Sequence, residues 1–153
     1  MKRLEKSIGN AFVKKARLKG WLPVKVHGSS MQSAGLTDYI VLPGHDYPGA
    51  GRRTVWLEMK RPGEKLRPLQ VRTCLDLASR GCRVAICDDE EHALFIVHQL
   101  MNDGVDSAAC SLLNADSLRY RLFNHKRSGN PGGMLVSFRK FPLTVGEAPV
   151  ELW

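Results

Sequence analysis

Three short apolar runs, over residues 22–26, 37–42 and 54–60, follow one another with turn-forming residues between them, and a helical periodicity takes over only at Pro68. This order constrains the fold more than any single motif. Consecutive strands with tight connections lie side by side, and a strand joined to the next through a helix runs parallel to it. Ahead of the runs, residues 3–19 read as a helix, with Leu4, Ile8, Ala11, Phe12 and Ala16 recurring at three and four and Gly20 as its stop. Pro68 opens a second helix to about Arg80, burying Val71, Cys74, Leu75 and Ala78. Residues 83–87 read as a fourth strand and residues 89–101 as another helix. The expected fold is α/β: an αβββαβ core with a mixed central sheet flanked by helices. Residues 1–103 would form this core. In 104–153 a helix is expected over 116–126, a turn over 128–133 and a strand over 134–141, together an accessory element suited to oligomerisation.

The 153 residues, 43% hydrophobic and 25% charged, suffice for one buried core. The longest apolar run, Ala93-Leu94-Phe95-Ile96-Val97, is far short of the roughly 20 residues of a membrane helix. Charge at Lys2, Arg3, Glu5 and Lys6 interrupts the place where a signal peptide is apolar, so the expected location is the cytoplasm. Cys74, Cys82, Cys87 and Cys110 form no Cys-x-x-Cys pair, which points to free thiols. Of the net charge of +8, residues 1–25 carry +7. That asymmetry points to a polyanionic partner, nucleic acid first and an acidic protein surface second.

In the run Val55-Trp56-Leu57-Glu58-Met59-Lys60, alternation puts Glu58 and Lys60 on one face about 7 Å apart, with Val55, Leu57 and Met59 on the other. Acid-x-Lys recurs by chance in a chain with 23 Lys/Arg and 15 acids. Its weight here comes from standing at the end of an apolar strand. Asp38 begins the neighbouring run directly after a Gly-bearing loop, so hairpin pairing brings it to Glu58. Glu5 falls inside the apolar arc of the first helix, a costly place for a carboxylate unless charge meets it there. Two carboxylates and the Met59 carbonyl make an oxygen-rich site for magnesium or manganese, and Lys60 stands ready to handle a water held there. Each residue also has a plainer reading: Glu58 and Lys60 as a surface pair, Glu5 paired with Lys2 or Lys15, Asp38 as a turn cap. Asp88-Asp89-Glu90-Glu91 reads as a helix N-terminus and not as a metal site.

The segments Gly35-Leu36-Thr37-Asp38, Leu57-Glu58-Met59-Lys60, Leu66-Arg67-Pro68-Leu69-Gln70 and Gly81-Cys82-Arg83-Val84-Ala85 resemble the VRR-NUC branch of the PD-(D/E)XK nucleases. The likeness covers residues 3–101 in order and spacing. It implies a restriction-endonuclease-like core with an active centre of Glu5, Asp38, Glu58, Lys60 and Gln70. The implied metal ligands are Asp38, Glu58, the Met59 carbonyl and Glu5, directly or through water. Thr37 departs from the family, which usually has Pro before the Asp. The short stand-alone members are phage and bacterial proteins forming dimers or larger assemblies, associated with metal-dependent cleavage of branched DNA, four-way junctions included. Lys14, Arg17, Arg61, Lys65 and Arg67 are the expected phosphate contacts. Two other readings fit the same residues: a basic DNA-binding module that does not cut, and a nuclease subunit that needs a partner within a phage repair or replication assembly.

Overall fold

The structure is a computed structural model and describes residues 4–26, 35–45, 53–102, 117–122 and 133–139. Its elements are α1 (Glu5–Leu18), β1 (Leu22–Lys25), β2 (Tyr39–Leu42), β3 (Val55–Met59), α2 (Pro68–Ser79), β4 (Arg83–Cys87), α3 (Glu90–Met101), β5 (Ser117–Leu122) and β6 (Met134–Arg139). The six strands form one mixed sheet in the order β1-β2-β3-β4-β6-β5. β1 pairs antiparallel with β2, and β2 antiparallel with β3. The α2 crossover makes β3 and β4 parallel, and β4 pairs parallel with β6.

Strand alternation divides the core into two layers. Val55, Leu57 and Met59 of β3, Ala85 and Cys87 of β4, and Val136 and Phe138 of β6 meet Ile8, Phe12 and Ala16 of α1 and the inner face of α3. Val84, Ile86 and Leu135 point the other way, against Cys74 and Ala78 of α2. Glu58 shares that second face with Trp56 by the same period of two. α1 ends in a left-handed turn: Gly20 sits at φ 77°, and the Trp21 N–H reaches back to the Ala16 carbonyl. Lys15, which interrupts the apolar stripe of α1, turns to α3 and pairs with Glu91, with Glu90 at 3.9 Å. Asp89 caps α3, accepting from the Glu91 and His92 N–H groups at 2.9 and 3.4 Å.

Residues 117–122 are a strand, which corrects the helix expected over 116–126. The sequence Ser-Leu-Arg-Tyr-Arg-Leu alternates apolar and polar, a period of two, and the segment pairs antiparallel with β6 from Ser117↔Arg139 to Leu122↔Met134. Cross-strand hydrogen bonding outweighs the weak helical pattern. Within the segment read as accessory, β6 lies inside the sheet between β4 and β5 and contributes to both layers of the core. Most of the glycine loop before Asp38 (27–34), most of the turn between the second and third runs (46–52), Cys110 and the turn at 128–132 lie outside the described residues. Cys74, Cys82 and Cys87 are free thiols, the first and last of them buried. Among the described residues, no helix is long and apolar enough to cross a membrane.

Candidate functional site

At the C-terminal end of β3 the chain buries charge. Glu58 is 1% and Lys60 4% exposed, and Lys60 Nζ lies 2.9 Å from Glu58 Oε1. The shared face read from strand alternation thus becomes a direct ion pair, shielded from water. The register Tyr39↔Leu57, extended by one pair, sets Asp38 opposite Glu58. Asp38 Oδ2 accepts the Met59 N–H at 2.8 Å. That bond fixes the Met59 backbone, and with it the carbonyl expected as a ligand, relative to the Asp38 carboxylate. The Lys60 N–H donates to the Cys87 carbonyl at 2.8 Å, so the backbone on both sides of this position is anchored.

Gln70, in the first turn of α2, is held at both ends. Its Oε1 accepts the Arg67 N–H at 3.0 Å, the reach-back of a helix N-terminus, and its Nε2 donates to Glu58 Oε1 at 2.5 Å. The two bonds fix the amide orientation and make Gln70 the bracket that aligns Glu58. Glu58 Oε2 is buried with no hydrogen-bond partner among the described residues. A carboxylate oxygen in that position is expensive unless a cation or water meets it.

The electrostatics follow from this crowding. Burial, reinforced by the Asp38 charge and opposed by Lys60, pushes the Glu58 carboxyl up to about 7. Burial also raises Asp38, against the Met59 N–H and Lys60. Glu5 is raised by burial; Lys60 opposes the shift, and Asp38 and Glu64 add to it. Its charge therefore couples to the pair without closing on it, and among the described residues no three His, Cys, Asp or Glu side chains lie together closely enough to hold a metal unaided. Asp38, Glu58 and the Met59 backbone offer the oxygen donors a hard divalent cation takes: Glu58 Oε2 has no hydrogen-bond partner among the described residues, and both carboxyls are raised by burial, Glu58 further by the Asp38 charge.

Asp38, Glu58, Lys60 and Gln70 are thus brought together, with Glu5 at their margin. Arg61, Lys65 and Arg67 are exposed on the segment that leads from Lys60 into α2. Lys14 and Arg17, also exposed, stand roughly 14 and 18 Å along α1 from Glu5 at 1.5 Å per residue, away from the site. Three charged neighbours escaped the sequence reading. Lys25 acts on Asp38, Glu64 acts on both Glu5 and Asp38, and the buried Arg139 feels Asp88 most and also Glu58 and Glu64. Nothing local marks any of them, although the alternation of β6 puts Arg139 on the Leu135 face once the sheet order is known.

Gly35 seats the loop that delivers Asp38. It has φ 86°, and a Cβ there would lie 2.7 Å from Leu69 Cγ and 3.1 Å from the Leu69 carbonyl oxygen. Gly35→Ala is therefore expected to lose about 2 kcal/mol of stability, from left-handed strain and the clash with α2 together. Urea unfolding reads this directly, and an unchanged midpoint would mean that the loop does not need its seat on α2.

No protein-family model matches the chain, and no curated protein matches it.

Proposed function

We propose that the chain is a magnesium- or manganese-dependent endonuclease, of the VRR-NUC type that its motifs resemble, hydrolysing phosphodiester bonds in branched DNA such as four-way junctions. The observation that carries the reading is the cluster Asp38–Met59–Glu58–Lys60–Gln70, built around the buried Glu58–Lys60 pair, in which one carboxylate oxygen has no hydrogen-bond partner among the described residues. A purely structural Glu–Lys pair has no need of a second, half-buried acid and an aligning amide. The order α1-β1-β2-β3-α2-β4 supports the restriction-endonuclease-like core.

Asp38, Glu58 and the Met59 carbonyl would hold the ion, with Glu5 joining through water. When bound, such an ion offsets phosphate charge and lowers the pKa of the attacking water. Lys60 Nζ, tied to Glu58 Oε1, keeps donors free to orient that water and a non-bridging phosphate oxygen. Gln70 holds Glu58 in the rotamer that leaves Oε2 open to the ion. Arg61, Lys65 and Arg67 bind flanking phosphates, and Lys14 and Arg17 engage a more distant arm of the substrate. Cutting two symmetric strands is served by a two-fold homodimer with paired sites, and access to DNA by a cytoplasmic location.

The test incubates the protein with labelled four-way junction, flap, single-strand and linear duplex DNA in magnesium, manganese or EDTA. Cleavage of the branched substrates in either metal and none in EDTA is expected. Products formed in EDTA would overturn the metal mechanism. Salt-sensitive binding without products in either metal would replace the enzyme with a binding module.

A further inference from the structure

Arg139 ends β6 and is 2% exposed, more deeply buried than Lys60. Its Nη1 donates to the Glu64 carbonyl at 2.7 Å, while Nε and Nη2 meet no hydrogen-bond acceptor among the described residues. The parallel registers Met59↔Cys87 and Cys87↔Phe138, continued by one row, set Lys60, Asp88 and Arg139 side by side across β3, β4 and β6. This row lies at the C-terminal ends of parallel strands, where open α/β sheets carry their crevice.

Glu64 is the midpoint of the segment that carries Lys60 at one end and the Arg67–Gln70 bracket at the other. The segment turns tightly there: the Glu64 N–H donates to the Arg61 carbonyl at 2.9 Å, and Gly63 sits at φ 77°. Arg61, Lys65 and Arg67 project from this turn into solvent. A buried guanidinium with one hydrogen-bond acceptor among the described residues, the Glu64 carbonyl, and the Asp88 charge beside it is a costly way to fill a sheet. What it offers over an apolar side chain is a rigid planar fork that fixes a backbone carbonyl.

We infer that Arg139 is a positioning residue: by clamping the Glu64 carbonyl to the sheet, it holds residues 61–67 in the one arrangement in which their cations meet DNA phosphates. The DNA half of this inference rests on the function proposed above; the clamp itself does not. A strand from the far end of the chain thereby sets the geometry of a loop that begins next to Lys60.

The test uses full-length Arg139→Gln and Arg139→Lys. Amide hydrogen exchange over 61–67 is expected to speed up about tenfold in Arg139→Gln, with β3 and α3 unchanged, as for a local opening. Binding of labelled four-way junction should weaken about tenfold with a shallower salt dependence, since phosphate contacts dominate affinity. Single-turnover cleavage at saturating DNA should stay within about threefold, because Lys60 keeps its own tie to Cys87. Arg139→Lys, which retains one donor and the charge, should fall between wild type and Arg139→Gln, and it carries the test if the glutamine variant does not fold. A merely structural role would lower the active fraction, reducing kcat with KM and loop exchange unmoved; that result overturns the inference, as does unchanged loop exchange in either folded variant. If wild-type protein binds DNA but never cuts, the exchange and binding arms still decide the role of Arg139, and only the nuclease reading falls.

Discussion

Lys60→Met should lower the single-turnover rate of junction cleavage by about 10³-fold while leaving the Kd for DNA within about threefold of wild type. Methionine preserves the volume at a position only 4% exposed, so the loss reports the ammonium and not a cavity. Two effects combine. The donor that orients the attacking water is gone, and so is the cation that holds the Glu58 carboxyl down. In the variant that carboxyl therefore rises above its wild-type value of about 7, and at neutral pH it is mostly the protonated acid, a poor ligand for a hard cation. The sign of the pH dependence follows. The active form needs Glu58 ionised, so residual activity in Lys60→Met should keep climbing above pH 8, where the wild-type profile has levelled off. The exposed Arg61 and Lys65, proposed as phosphate contacts, are untouched, which is why binding should survive. Full activity in purified Lys60→Met would remove Lys60 from the chemistry, and a parallel loss of DNA binding would make it a substrate contact instead.

How far the site was legible depended on the range of the interactions that build it. Glu58 and Lys60 share a face because side chains alternate along one strand, and Asp38 meets Glu58 because two neighbouring strands pair; both rules act within about twenty residues. Glu5 was legible as an anomaly, a carboxylate inside an apolar arc. Of the two plainer partners, Lys15 is taken by Glu91, and Lys2 lies outside the described residues. Residues 117–122 misled because their weak helical spacing is local, while the pairing that makes them a strand comes from residues 134–139. Arg139 and Glu64 had no local signature. Their meeting requires β6 to insert beside β4 after a long excursion, and no pattern within either strand specifies that neighbour. Thr37, where the resembled family usually has proline, carries a cost the sequence did not reveal: it is 1% exposed, and its hydroxyl has no hydrogen-bond partner among the described residues.

Glu58→Gln should abolish cleavage and yet stabilise the metal-free protein at alkaline pH. The Glu58 carboxyl stands at about 7 in the folded chain against an ordinary value of 4.5. A raised carboxyl contributes stability that is complete below 4.5 and is lost as pH rises through 7. At pH 8 the metal-free fold therefore carries an ionised, buried carboxylate at a cost on the order of 3 kcal/mol, at 1.36 kcal/mol per pKa unit. Glutamine has the same shape, can still accept from Gln70 and cannot ionise. The variant should melt roughly 10 °C above wild type at pH 8 in EDTA, and the gap should close toward pH 5. Saturating magnesium should then reverse the order, because a cation held by Asp38 and Glu58 stabilises only the protein that binds it, by about 2.7 kcal/mol at a hundredfold excess over its Kd. Thermal melts of both proteins at pH 5 and pH 8, with EDTA or magnesium, separate the alternatives. If magnesium raised both melting points equally, the ion would lie elsewhere in the chain. If Glu58→Gln melted below wild type at pH 8 in EDTA, the charge on Glu58 would be serving the fold through Lys60, and the unpartnered oxygen that motivates the metal site would have no energetic consequence.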